Sequence, residues 1–384
     1  MFIANKINLR IPGPTPIPPA VQAAMNKPMI GHRSKEASTL ISEVSERLKP
    51  FFGTNESPLL FSGSGTSVLE AAVVNTVQPE EEVLVVVTGV FGDRFAKILT
   101  EYGATVRRYD VDWGKTPDPD ALKKILQQHP NIKAVFFTQC ETSTGVLNPI
   151  DKLSPIVKEF SNALIIVDAV SSLGAVPFEM NDWNVDITVA GSQKALMIPA
   201  GLAFAAVSQN AWNVIEQNKN PKFYLDFKRY RDNLLKGTTP FTPAVSLLFG
   251  LQAALELLEE EGLAQVFNRH EIMKQMTRSA LRALSLPLMT NDTDASPTVT
   301  SVYQADGWDS EAVRSDLKKM GIVIAGGQQH LKGKIFRIGH MGYCDPLDIL
   351  PVLSAIEISL KKQNVSLSLG TALQAAEEVL SNHV

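Results

Sequence analysis

Three short stretches of this sequence set reactive side chains beside apolar runs. The first is Asp186-Ile187-Thr188-Val189-Ala190-Gly191-Ser192-Gln193-Lys194, a β-rich run followed closely by a lysine. An ammonium just past a buried strand must find a polar partner or give up its proton. A desolvated lysine with a lowered pKa is a nucleophile suited to a carbonyl carbon. The plainer alternative is a surface lysine beyond a strand end. The second stretch, Leu164-Ile165-Ile166-Val167-Asp168, is an apolar strand ending in a carboxylate. Aspartate is seldom fully buried without a partner, and a protonated ring nitrogen is one such partner. An N-cap or turn aspartate is the alternative. The third is Phe61-Ser62-Gly63-Ser64-Gly65-Thr66-Ser67-Val68-Leu69-Glu70, a strand, a Gly/Ser turn and a helix, with Ser67 and Glu70 at capping-box spacing. Free backbone N–H groups and the positive end of a helix dipole suit a phosphate. The spacing matches neither the Walker nor the dinucleotide glycine motif, and a plain capped helix is the alternative.

An amine for a carbonyl, a carboxylate for a ring nitrogen and a cradle for a phosphate are the three anchors that pyridoxal phosphate requires. All three lie at strand ends, where α/β proteins bind ligands.

The elements that must position these groups follow from the periodicity. Residues 9–19 (Leu9-Arg10-Ile11-Pro12-Gly13-Pro14-Thr15-Pro16-Ile17-Pro18-Pro19) are too rich in proline for a helix or a central strand. They are expected to form an extended arm lying on this subunit or a neighbour. From about Ala20 to residue 207, short β-rich runs such as Glu82-Val87, Ile132-Thr138 and Leu164-Val167 alternate with helical stretches. That alternation predicts an α/β fold with a mostly parallel sheet covered on both faces. A long helix is expected over about 244–261, and residues beyond it mix helix and strand in a smaller α+β unit. The expected division is an arm (1–19), a large cofactor-binding α/β domain (20–262) and a small C-terminal α+β domain (263–384).

Composition narrows the function. The 384 residues are 45% hydrophobic and 20% charged, enough for a sizeable core, and the formal net charge of −4 gives no basis for nucleic-acid binding. Two cysteines, Cys140 and Cys344, make neither a disulfide framework nor a thiolate cluster, and the histidines show no metal-ligand spacing. No metal is expected. The sequence Met1-Phe2-Ile3-Ala4-Asn5-Lys6 lacks the pattern of a signal peptide, and apolar runs such as Val83-Val87 are too short for a bilayer. A soluble, cytoplasmic protein is the expectation.

Over essentially its whole length the chain resembles class V of the fold-type I aminotransferases, and within it the alanine–glyoxylate and serine–glyoxylate group. The motifs that carry the resemblance are Pro12-Gly13-Pro14, Gly31-His32-Arg33, Ser62-Gly63-Ser64-Gly65-Thr66, Glu141-Thr142-Ser143-Thr144-Gly145, Val167-Asp168-Ala169-Val170, Gly191-Ser192-Gln193-Lys194 and Phe336-Arg337-Ile338-Gly339. The resemblance implies that Lys194 carries pyridoxal 5'-phosphate as a Schiff base and then moves the substrate proton. It implies that Asp168 pairs with the pyridinium nitrogen, that Val170 packs under the ring and that Phe91 stacks over it. Thr142 would bind the ring hydroxyl, and Ser64, Gly65, Thr66 and Gln193 belong to the phosphate site. Thr239 and Thr242 would reach the phosphate of a neighbouring subunit, which makes a homodimer with shared active sites; their alternative is to cap the following helix. Arg337 would hold the substrate carboxylate in a bidentate pairing. The motifs place no second arginine for a distal carboxylate, Arg33 being the possible exception, which favours alanine or serine as donor and glyoxylate or another small 2-oxo acid as acceptor. His32 receives no role.

Two other readings are weighed beside this one. A cysteine desulfurase or lyase of class V needs a mobile catalytic cysteine and usually a histidine before the lysine, where this chain has Gln193. Cyanobacterial members of the group carry the label of a soluble hydrogenase small subunit, but nickel–iron and iron–sulfur sites need more thiolates than two cysteines supply.

Overall fold

A computed structural model of the chain describes residues 6–383. Residues 1–5, which hold most of the segment read for a leader, and Val384 lie outside the described residues. Strand β1 (Asn8–Arg10) is followed by helices α1 (Pro19–Met25) and α2 (Lys35–Phe52). The alternating region then runs β2 (Leu59–Gly63), α3 (Gly65–Thr76), β3 (Glu82–Val87), α4 (Val90–Glu101), β4 (Thr105–Asp110), α5 (Pro119–Gln128) and β5 (Ala134–Thr138). A short hairpin, β6 (Cys140–Glu141) and β7 (Val146–Leu147), leads to α6 (Ile150–Phe160), β8 (Leu164–Asp168), β9 (Ile187–Gly191) and β10 (Gly201–Val207).

The large sheet has the order β2-β10-β9-β8-β5-β3-β4. Its pairings from β4 through β9 are parallel, and β10 runs antiparallel to both β9 and β2. β2 therefore points the same way as the parallel set, and the carboxyl ends of β2, β3, β5, β8 and β9 open on one edge. Side chains alternate between two apolar layers: Leu84, Val86, Val135, Phe137, Ile165 and Val167 face one, and Val83, Val85, Phe136, Leu164 and Ile166 the other. Burial on both faces explains why these strands read as unbroken apolar runs. Each such side chain contributes about 1.5–3 kcal/mol.

Helices α7 (Gln209–Gln217) and α8 (Phe227–Leu234) precede the long α9 (Val245–Glu261) and α10 (Leu263–Ala283). A second sheet follows from β11 (Val299–Tyr303), α11 (Ser310–Lys319), β12 (Ile322–Gly326), β13 (Ile335–Gly339), α12 (Pro346–Lys362) and α13 (Thr371–Ser381). Its order, β1-β12-β13-β11, takes the start of the proline-rich arm as an edge strand, with Asn8 opposite Ile322 and Arg10 opposite Ile324. An edge is the place for a strand leading into prolines, which cannot donate to a ladder. Arg10 also pairs with Asp348 at 3.3 Å.

One local expectation is corrected. Ser67 and Glu70 do not form a capping box, because α3 begins at Gly65 with Ser64 as its N-cap. Ser67 lies inside the first turn and donates its hydroxyl to the Ser64 carbonyl, while Glu70 accepts from the Tyr102 hydroxyl at 2.7 Å. Among the described residues no helix is long and apolar enough to cross a membrane.

Candidate active site

Two adjacent parallel strands deliver the central pair. Asp168 is the last residue of β8, opposite Val189 of β9, and Lys194 follows β9 by three residues. Both are buried and line one cavity of roughly 270 Å³ at the carboxyl edge of the sheet, with Val170, Gln193, Ser64, Gly65, Thr66 and Phe91. Burial raises the Asp168 pKa to about 7, opposed by the Val170 N–H that donates to Oδ1 at 2.8 Å. Burial also lowers Lys194 to about 8. A neutral amine is thus accessible near neutrality, as a carbonyl nucleophile requires.

The arm holds the lysine from the other side. Lys194 Nζ donates to the Pro12 carbonyl, Thr15 N–H donates to the Gln193 carbonyl at 3.1 Å, and the Thr15 hydroxyl to the Lys194 carbonyl at 2.9 Å. Gly13 sits at φ +115°, and a Cβ there would come within 2.6 Å of Lys194 Cδ. Only glycine combines that backbone with that approach.

At the β2–α3 turn, the N-cap Ser64 makes no side-chain cap hydrogen bond, so the first amides of α3 have no partner within the helix. The Gln193 side-chain oxygen is buried at the cavity without a partner among the described residues. A Cβ on Gly191 would lie 3.0 Å from that oxygen and 3.4 Å from Gly65 Cα, so this glycine lets amide and helix end converge. Phe91 and Val170 both border the cavity, Val170 also approaching the point where a Cβ on Gly65 would be, at 3.1 Å.

Glu141 sits behind this wall, and its part is not apparent from the sequence. It is fully buried and accepts from Phe91 N–H at 2.9 Å, Gly92 N–H at 3.2 Å, Ser143 N–H at 3.2 Å and the Ser143 hydroxyl. Burial raises its pKa, and the four hydrogen bonds oppose that rise. A carboxylate at the amino end of α4 satisfies amides that the helix cannot, and it fixes Phe91 relative to the cavity. The available signal was an acid opening the run Glu141-Thr142-Ser143-Thr144-Gly145; its partners 50 residues away are not readable locally.

Arg337 and Thr142 meet one another, and neither lines that cavity. Arg337 Nη1 donates to the Thr142 carbonyl at 2.6 Å and Nε to the Gly326 carbonyl at 2.9 Å. Burial lowers the Arg337 pKa to about 10, so it stays cationic near neutrality with further N–H groups to offer. It lines a groove with Gly326, Gly327 and Arg314, a second arginine that the motifs did not place and that is paired to Glu311. Thr239 and Thr242 lie outside the cavity of their own chain. The Thr239 hydroxyl donates to the Phe241 carbonyl at 2.7 Å, Thr242 is exposed, and Arg33 donates to the Thr238 hydroxyl and, at 2.7 Å, to the Thr239 carbonyl.

Neither cysteine is poised as a nucleophile. Cys140 and Cys344 are both free and buried, and burial pushes their thiols to about 11 and about 12. His270 and His340 are buried with both ring nitrogens hydrogen-bonded, and burial lowers them to about 3 and about 4.

The class-V aminotransferase family model matches residues 7–344. The chain is 44% identical to a Synechococcus protein named as the small subunit of a soluble hydrogenase, across 98% of this chain and 99% of that one. It is 34% identical to the serine–glyoxylate aminotransferase of Arabidopsis thaliana, across 100% of this chain and 98% of that one. Among solved structures, the ureidoglycine–glyoxylate aminotransferase of Bacillus subtilis superposes with a TM-score of 0.92 at 30% identity, covering 99% of this chain and 100% of that one.

Proposed function

The chain belongs to the class-V aminotransferase family, whose members generally depend on pyridoxal phosphate, and on that premise we propose that it moves an amino group from alanine or serine to glyoxylate or another small 2-oxo acid. The observation that carries the reading is one cavity holding a buried amine of lowered pKa and a buried carboxylate, with an uncapped helix end at its rim. The residues fit pyridoxal 5'-phosphate: the unpartnered Gln193 amide and the free amides at Gly65 and Thr66 suit its phosphate, and Asp168 suits its ring nitrogen. When bound, that cofactor supplies an aldehyde for an amine and a ring that takes up an electron pair.

The chain's own groups do the rest. Lys194 Nζ would hold the cofactor, and its amine would take the proton from the donor's α-carbon. Asp168, drawn to its ionised form by a cation beside it, would keep the ring nitrogen protonated. Phe91 and Val170, which border the cavity, would pack against the ring, and Thr142 would serve its hydroxyl. Arg337, its fork held by two carbonyls, offers its remaining N–H groups to the substrate carboxylate. The engagement of Arg314 by Glu311 supports a preference for substrates without a second carboxylate.

Exposed Phe223 and Tyr224, packed beside Phe241 of the Thr239–Thr242 loop, support a homodimer in which that loop, Thr239 and Thr242 included, completes the partner's phosphate site. Two free thiols support a reducing compartment such as the cytoplasm. Burial of both thiols opposes a desulfurase reading, and two such groups are too few for the clusters implied by the hydrogenase name of one relative.

The test is a set of half-reactions. Purified protein is titrated separately with alanine, serine, glutamate and aspartate while the cofactor absorbance is followed, then glyoxylate is added and glycine measured. Alanine or serine must shift the spectrum and glyoxylate must restore it. A shift with glutamate or aspartate alone refutes the substrate assignment.

A further inference from the structure

The cavity contains a cation that the chemistry above leaves without a task. Of the side chains lining it, only Lys194 and Arg94 are cationic. Arg94 lies on α4, three residues beyond Phe91. Its guanidinium carbon is 4.8 Å from the centre of the Phe91 ring, and Nη1 donates to the Thr66 hydroxyl oxygen at 3.2 Å. No carboxylate among the described residues pairs with it: the adjacent Asp93 is engaged by Lys97 at 2.7 Å and Arg108 at 2.9 Å. A half-buried guanidinium that faces a cavity without a counter-ion is suited to an anion from outside the chain.

The bond to Thr66 adds direction. A guanidinium can only donate, so the Thr66 oxygen is the acceptor and its own proton remains for a second partner. Thr66 stands in the first turn of α3, beside the unpartnered amides and the Gln193 side chain. A phosphomonoester placed there would meet a helix end, an amide and an oriented hydroxyl. None of these carries a full positive charge; the helix end contributes roughly half of one. Arg94 supplies the rest.

We infer that Arg94 is the anion-recognition residue of the cofactor cavity, fixing the Thr66 hydroxyl and the local charge for a phosphomonoester and so selecting phosphorylated over unphosphorylated pyridoxal. This rests on the reading that the cavity takes pyridoxal phosphate. A bland alternative exists, in which Arg94 only packs against Phe91, and the two make opposite statements about a ligand that lacks phosphate.

The experiment is equilibrium binding of pyridoxal phosphate and of pyridoxal to the full-length apoprotein, followed by absorbance, for wild type, Arg94→Met and Arg94→Lys. Arg94→Met is expected to weaken pyridoxal phosphate by about ten- to a hundredfold, the range for losing a charged hydrogen-bond donor. Pyridoxal binding stays near wild type, and Arg94→Lys loses less than Arg94→Met. Equal weakening of both ligands, or unchanged binding of pyridoxal phosphate, overturns the inference. Should Arg94→Met fail to fold, Thr66→Val must show the same phosphate-selective loss, and normal binding of both ligands by that variant overturns it equally. Wild type that binds neither ligand removes the cofactor reading itself and this inference with it.

Discussion

Burial acts in opposite directions on the two groups that matter most. It raises Asp168 and lowers Lys194, and each shift favours the neutral form. The kinetic consequence for Lys194 has a definite sign. Only the neutral amine attacks a carbonyl, so below its pKa the rate of reconstitution from apoprotein and pyridoxal phosphate rises with pH. Stopped-flow absorbance should show that rise levelling near pH 8, whereas an amine at the ordinary value of 10.5 would keep gaining well beyond it. Glu141 gives a second prediction at this scale. Glu141→Gln keeps the shape but turns an N–H2 group towards donors such as the Phe91, Gly92 or Ser143 amides, a loss of about 1–3 kcal/mol for buried groups left unpaired. Thermal melts should fall accordingly, and circular dichroism at the cofactor band should change as Phe91 loses its anchor. Unchanged melts and dichroism would leave Glu141 a passive carboxylate.

Elements explain which parts of this site are legible in the sequence. Lys194 and Asp168 are readable because a strand buried on both faces announces its end, and an ionisable residue at that end stands out. The Gly/Ser turn is readable for the same reason, although the helix starts three residues earlier than the apolar pattern indicates: Gly65, Thr66 and Ser67 carry no apolar signal. Glu141 and Arg94 are not readable. Their partners lie 50 and 28 residues away and are brought near by strand order, which local periodicity does not encode. The arm is an intermediate case, its prolines excluding a helix while its pairing with β12 depends on a strand more than three hundred residues distant. The arm also carries a prediction. Gly13→Ala places a Cβ within 2.6 Å of the Lys194 side chain at a φ of +115°, so the strap must move or the lysine must. Backbone strain of that kind costs about 1–3 kcal/mol. Reconstitution should slow at least tenfold relative to wild type, a loss too large to follow from the modest drop in melting temperature. Wild-type reconstitution by Gly13→Ala would show that the strap does not position the lysine.

At the scale of the whole molecule, the loop with Thr239 and Thr242 is the feature a single chain does not account for. Thr242 is exposed, Arg33 pins the loop backbone, and exposed Phe223 and Tyr224 pack beside Phe241. A two-fold partner would give that surface its use. Subunit mixing tests this directly. Lys194→Ala and Thr242→Ala chains are each impaired alone, but a mixed dimer has one site with an intact lysine and an intact partner loop. Equal mixing should restore roughly a quarter of wild-type sites, since half the dimers are mixed and each has one good site. Activity no higher than the average of the two parents would place all essential groups within one chain.

The central claim is that the Lys194 amine carries the cofactor. Borohydride reduction of the purified protein followed by peptide mass analysis tests it most directly. The account predicts a reduced pyridoxal phosphate adduct on the peptide containing Lys194 and none after Lys194→Ala. An adduct on a different lysine, or the same yield in the Lys194→Ala protein, would contradict it.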